Sequence, residues 1–301
     1  DAYSGIKYIA FYGESTEPNA DNDFFVDNVR VFIPQANDLA AVSASGPATG
    51  LSGTPVTHSV TVANSGTANQ TSYTVYLKSV SPAATLATLE ITTPLAGGDS
   101  ATHNLTWTPA TPGLDLQIYA EVVLATDTVP ANNATASIWY FPHVAGALLE
   151  SFESDIPANW TVINADGNPN SWWPMYLNPH SGAQSATVIA EPGFQSDDWL
   201  ITPPLQLSNT TTDLLSFWMR SYDISCPEAW EVLVSTTNTQ PASFTMIDSG
   251  TLVSSVFSRM EYNLDAYGNA VIYFAVRYRS HSNIALSVDD FHGPLIYVPT
   301  A

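Results

Sequence analysis

Basic residues are the scarcest feature of this 301-residue sequence: seven Lys and Arg stand against 28 Asp and Glu, for a formal net charge of −21. The only lysines are Lys7 and Lys78. Such a chain repels nucleic-acid phosphates and anionic lipid and attracts cations, Ca²⁺ among them, so nucleic acid is excluded as a partner. Cysteine is nearly absent too. Cys226 alone permits neither an intrachain disulfide nor a cysteine-based zinc site. No apolar run reaches the length of a membrane span. No leader peptide is visible, which points to a processed chain or an excised piece.

Catalytic signatures are missing as well. The six histidines (His58, His103, His143, His180, His281 and His292) occur singly, none in HExxH or zinc-ligand spacing. There is no Gly-x-Ser-x-Gly elbow. Cys226, beside Pro227 and Glu228, has no basic neighbour in sequence to activate it. Glu228 and Glu231 stand three apart at the start of a strand, hence on opposite faces, which argues against joint acid–base work. The expectation is a protein that is not an enzyme.

What is abundant points to strands. The chain is 45% hydrophobic but only 12% charged, with 21 prolines, and is rich in Thr, Ser and Asn. That profile fits all-β architecture with many turns, whereas helices draw on Ala, Leu, Glu and Lys. At this length two ordinary domains can each bury a core. After a short linker, Pro34 to Asp38, strands are expected at Val56–Ala63, Tyr73–Val80, Ala101–Thr108, Leu116–Leu124 and Ala134–Tyr140. Turn signals at Asn64-Ser65-Gly66, Pro112-Gly113 and Asn132-Asn133 separate them. Residues 35–140 therefore read as an immunoglobulin-like β-sandwich acting as a spacer. The turns resemble those of the Ig-like, cell-adhesion-related domains of large bacterial surface proteins.

The stretch Ala270 to Phe291 reads as two strands, the second ending in the adjacent acids Asp289 and Asp290. An echo runs from Ile6 to Val29: Tyr8-Ile9-Ala10-Phe11 matches Tyr273-Phe274-Ala275-Val276, and Val26-Asp27-Asn28-Val29 matches Val288-Asp289-Asp290-Phe291. Residues 1–34 thus look like the terminal strands of an incomplete module. Two strands alone cannot bury a face. A preceding part of a longer protein completes them, or they pair with the downstream domains, or they are donated to another chain and build a polymer by β-augmentation.

Residues 147–298 carry an ordered series of motifs. Leu149-Glu150-Ser151-Phe152-Glu153 opens it, followed by Ile156-Pro157-Ala158-Asn159-Trp160, Asn164-Ala165-Asp166-Gly167 and Trp172-Trp173. Then come Ser196-Asp197-Asp198-Trp199-Leu200-Ile201-Thr202-Pro203, Leu215-Ser216-Phe217-Trp218, Glu231-Val232-Leu233-Val234-Ser235-Thr236 and Val288-Asp289-Asp290-Phe291. This series resembles the cleaved-adhesin, or choice-of-anchor J, jelly-roll family, which includes the adhesin modules of the gingipains. The resemblance implies a jelly roll over 147–298, a further partial copy at 1–34, and a repeating string of modules.

A jelly roll sets its first and last strands side by side, bringing Glu153 near Asp289 and Asp290. Three carboxylates at a sheet edge repel one another unless a cation joins them, and Ca²⁺ accepts six to eight oxygens with tolerant geometry. The resemblance also implies a structural calcium, so Glu153, Asp289 and Asp290 are expected ligands. The alternative is a solvated edge that guards against aggregation. Asp198 is a further candidate ligand, against its reading as a turn residue. Asn164 to Asn170 clusters oxygens without the closing Glu of an EF-hand loop, and is a candidate for a second ion. Trp173, Tyr176 and Trp230 could form an aromatic platform for sugars, while Trp160, Trp172, Trp199 and Trp218 are assigned to packing.

The function expected is that of a fragment of a secreted, multidomain bacterial surface adhesin. It would be a non-catalytic binding module stabilised by calcium, whose partner is a protein or glycan on a surface or another copy of itself. The alternatives are a structural subunit forming extracellular filaments by strand donation, and a carbohydrate-binding module of a secreted hydrolase.

Overall fold

A computed structural model describes residues 9–12, 26, 35–281 and 284–299. The expectations placed on residues 1–34, including the echo with Asp27 and Asn28, fall almost entirely outside the described residues. Among the described residues eight strands succeed one another in the first half: β1 (Leu39–Ser45), β2 (Thr49–Leu51), β3 (Val56–Asn64), β4 (Tyr73–Ser79), β5 (Ala84–Ile91), β6 (Ser100–Trp107), β7 (Leu116–Val123) and β8 (Ile138–His143). They form two sheets, in the orders β1-β3-β6 and β2-β8-β7-β4-β5. β3 and β4 alternate buried and half-buried residues along their length, the period-two pattern of a strand with one face on a core. The inward set, including Val60, Val62, Val75, Leu77, Ile118 and Val122, closes into one cluster with Leu39 and Trp107. This is the expected Ig-like sandwich.

Three local expectations differ. Strands β1 and β5 carry weak alternation, β1 because it is Ala/Ser-rich and shifts register between Ala41 and Ser43, β5 because it is an edge strand largely open to solvent. The last strand begins at Ile138 rather than Ala134, since a 3₁₀ turn at Pro130–Asn132 and a single bridge from Ala134 to Glu121 occupy the preceding chain. Residues 35–38 are docked rather than free: Gly66, Thr67 and Ala68 amides donate to the carbonyls of Asp38, Gln35 and Ala36.

Twelve strands make the second half: β9 (Ala147–Glu150), β10 (Thr161–Asn164), β11 (Trp173–Met175), β12 (Ser185–Ile189), β13 (Asp198–Ile201), β14 (Leu205–Gln206), β15 (Leu214–Ser221), β16 (Glu228–Ser235), β17 (Thr245–Leu252), β18 (Ser258–Asn263), β19 (Val271–Tyr278) and β20 (Ala285–Ile296). One series runs β10-β13-β19-β16-β17 and the other β11-β12-β20-β15-β18. Short β14 pairs with both β19 and β20, joining the two series into one curled sheet. Side chains from both, such as Val232, Phe274 and Val276 from one and Phe217, Leu286 and Val288 from the other, share a single core. The result is a jelly roll.

β9 pairs antiparallel with β20, Glu150 opposite Phe291 and Leu149 opposite His292, so the first and last strands of this module are neighbours. On its other side β20 bulges. Ser216 and Trp218 of β15 face His292 and Asp289, three steps of one strand against two of the other. Asp290, in the bulge, takes φ +47°, a left-handed conformation that side chains other than Gly seldom adopt. The bulge brings Val288 and Phe291, three positions apart, into the same core while Asp290 stays half-buried at the edge.

The halves also touch. Phe141 stacks on His292 with centroids 4.3 Å apart, and Trp139 meets Trp218 edge-on at 6.0 Å. Arg259 pairs with Asp115, whose Oδ2 also accepts from Ser216 Oγ at 3.0 Å.

Candidate functional site

The short segment from His180 to Ala183 lies between Glu153 and the acids of the bulge. The backbone amides of His180 and Ser181 donate to Asp289 Oδ2 at 2.9 and 3.2 Å, and the amide of Asp290 donates to Asp289 Oδ1 at 2.8 Å. Ser181 Oγ donates to Asp290 Oδ1 at 2.7 Å, while His180 Nδ1 lies 2.6 Å from Asp290 Oδ2. From the other side Ala183 N donates to Glu153 Oε2 at 2.7 Å, and Gln184 Nε2 to the Glu153 carbonyl at 2.8 Å. Gly182 makes this approach possible: a Cβ there would stand 2.0 Å from Glu153 Oε1, and its φ is +59°.

Glu153, Asp289 and Asp290 therefore converge on one loop, with most of their oxygens met by donors. Asp289 is fully buried. Burial, then the charge of Asp290, pushes its pKa up to about 8, against the pull of the three amide donors. The His180 ring lies flat on Trp218, centroids 3.9 Å apart.

Asp198 belongs to a different cluster. It sits on β13 opposite Asn164 and Tyr278, wholly buried, and among the described residues neither carboxylate oxygen has a hydrogen-bond partner. Burial, followed by the charges of Asp166 and Asp197, pushes its pKa up to about 7, with the Ser171 hydroxyl acting in the opposite direction. Asn168 Nδ2 and Ser171 Oγ are likewise buried without partners. The surrounding loop is knitted internally: Asn164 Nδ2 donates to the carbonyls of Asn168 and Asn170, and Asp166 accepts from the amides of Asn168 and Asp197. Asp197 is committed elsewhere, paired by both its oxygens with Arg277 at 2.6 and 2.7 Å. Among the described residues no three His, Cys, Asp or Glu side chains form a group able to hold a metal ion.

The aromatic candidates separate. Trp173 and Tyr176 are 39% and 76% exposed. Trp230 is in the core, because alternation along β16 turns it inward; a Cβ on Gly250 would come within 2.9 Å of its ring. A three-ring surface platform is thus not formed. Trp160, Trp172 and Trp199 are buried as expected, whereas Trp218 is half-buried between His180 and Trp139. Glu228 and Glu231 do face opposite ways. Glu228 is buried and accepts from Tyr278 Oη and the amides of Ile284 and Ala285, and Glu231 pairs with Arg277.

Residues 146–286 match the model of the Cleaved Adhesin Domain family, and residues 36–135 match that of the CARDB family. Over residues 146–286 the chain is similar to the cleaved adhesin domain. The chain is 33% identical over 108 residues to Hemagglutinin A of Porphyromonas gingivalis, an alignment covering 32% of this chain and 5% of that protein. It is 34% identical over 107 residues to Gingipain R1 of the same organism, covering 33% and 6%. The chain thus spans only about a twentieth of the length of the curated relatives it matches. Among solved structures, the K1 cleaved adhesin domain of Lys-gingipain is similar at 24% identity and a TM-score of 0.45, covering 50% of this chain and 98% of that one. The matched segment holds Glu153 and the cluster around Asp198, whereas Asp289 and Asp290 lie just past its end.

Proposed function

We propose that this chain is a non-catalytic adhesive segment of a larger bacterial surface protein, exported to the cell exterior, that binds a protein or glycan partner. The observation that carries this reading is the cleaved adhesin match over residues 146–286. Identity of 33% and 34% with proteins named hemagglutinin and gingipain supports it. The test is saturable binding of the purified chain to erythrocytes, immobilised matrix proteins and a glycan array, alongside peptide and glycoside substrates. Binding without turnover is the expected result. Turnover of a substrate, or no saturable binding anywhere, would overturn it.

Calcium forms part of the proposal. Of the four acids expected as ligands, Asp198 has the environment that most calls for a cation: a buried carboxylate neither of whose oxygens has a hydrogen-bond partner among the described residues. Asp166 and the side-chain oxygens of Asn168 and Ser171 are the groups that would complete such a site, and Ca²⁺ would supply charge neutralisation there. At Glu153, Asp289 and Asp290 the donors from residues 180–183 already do much of that work, so a cation would have to displace some of them. Glycan binding is favoured as a second reading by the exposed rings of Trp173 and Tyr176. Under it, the doubly Ala-substituted variant loses array binding while keeping its fold. Filaments in negative stain would instead favour polymerisation through residues 1–34.

A further inference from the structure

Between the two modules lies a cavity of about 560 Å³, within the range of ligand pockets. β8 and the chain at Asp115 form one wall. β9, the His180 loop and the bulge of β20 form the other. Its acids are Asp115, Glu150 and Asp290, its rings include Trp139, His180 and His292, and among the described residues no Lys or Arg lines it.

Asp115 is the telling residue. Its side chain is only 8% exposed, and its Oδ2 is taken by Arg259 and Ser216, yet Oδ1 is buried with no hydrogen-bond partner. His292 Nδ1 stands 3.9 Å from that oxygen, beyond hydrogen-bond reach. His292 thus meets that oxygen only as a distant ion-pair partner, and a cavity lined by three acids and aromatic rings suits a cationic donor from outside the chain.

We propose that this cleft receives the guanidinium of an arginine side chain presented by a protein partner. The proposal rests on the adhesive reading and names the chemistry of the partner. A guanidinium offers flat donors to a carboxylate and a face to aromatic rings at once. The chain already contains one instance of that pairing at this place: Arg259 bonds Asp115 while its guanidinium carbon lies 4.7 Å from the Trp139 centroid. A lysine ammonium has no plane to stack. A neutral sugar brings hydroxyl donors but no positive charge to set against the three carboxylates. The net charge of −21 draws a basic partner toward the surface before contact is made.

Calorimetric titration of the full chain with a blocked Gly-Arg-Gly peptide, its citrulline counterpart, a Gly-Lys-Gly peptide and a neutral oligosaccharide tests this. The arginine peptide is expected to bind, and the citrulline peptide, equal in shape but uncharged, to bind about tenfold more weakly or worse. Thr49→Trp, which fills the cavity from its rim without touching an ion pair, should abolish binding with an unchanged thermal melt. Asp115→Asn provides the second variant and should weaken binding by a similar factor. Equal binding of arginine and citrulline peptides, binding undiminished in both variants, preference for the oligosaccharide, or no binding of the arginine peptide would each overturn the inference. If the arginine peptide fails while the chain still adheres to cells, the cleft assignment falls and the adhesive reading stands; if adhesion also fails, both fall.

Discussion

Gly182 is where one hydrogen atom decides the geometry of the acid loop. A methyl group there would collide with the Glu153 carboxylate and would sit on a left-handed backbone. Gly182→Ala is therefore expected to destabilise the jelly roll by about 1–3 kcal/mol. Glu153→Ala should recover only part of that in the double variant, because removing the clash leaves the backbone strain; urea denaturation of the four proteins checks it. Asp198 and Asp289 make a second residue-scale prediction. Both have folded-state pKa values above their ordinary one, about 7 and about 8. In chelated protein the native state keeps protons that the unfolded chain has released, so their contribution to stability is fully present below about pH 4 and is lost as pH rises through these values. The urea midpoint in EDTA should thus fall between about pH 5 and about pH 9, and Asp198→Asn should flatten the slope. Added Ca²⁺ should raise the midpoint chiefly at the alkaline end, since a cation binds the ionised form. A midpoint indifferent to Ca²⁺ at every pH would remove the calcium proposal. The acids themselves were legible in the sequence as adjacent charges. Their surroundings were not, because the donors to Asp289 come from His180 and Ser181, over a hundred residues away.

Among the elements, β20 does the most. Its bulge turns Phe291 into the core, where the ring stacks on Phe217 at 4.6 Å and meets Trp160 and Phe152 edge-on at 5.1 and 5.9 Å. Phe291→Ala should cost about 3–5 kcal/mol. Calorimetry should show the loss in one transition, with the Ig-like module, whose core is separate, melting as before. β19 and β20 were readable because apolar runs between turn residues have few other interpretations. β1 and β5 were not, since Ala, Ser and Thr give little contrast between faces, and such strands owe their pairing to neighbours. Trp230 shows the same limit from the other side. A tryptophan in a strand fits core and surface platform equally until the strand's facing is known.

For the molecule as a whole, the junction is what sequence reading could not supply. Asp115, Trp139, Trp218, Arg259 and His292 have no local pattern in common, and only the docking of two finished sandwiches puts them together. Trp139 is central, contacting Trp218 and carrying Arg259 on its face. Trp139→Ala is expected to loosen the junction without unfolding either module. Small-angle scattering should then show a broader distribution of particle lengths, and a single calorimetric transition, if present in the parent, should divide in two. An unchanged scattering profile would mean that the contacts around Trp139 do not hold the modules together. The pairing of β9 with β20 has a mechanical consequence. Ala147 lies opposite Leu295, so a pull applied between the two ends of the jelly roll meets at one edge of a single antiparallel ladder. Its hydrogen bonds are loaded one after another, as in a zipper, and not all at once in shear. Under tension this module peels open from its own seam, lengthening the chain before any ligand contact elsewhere is strained.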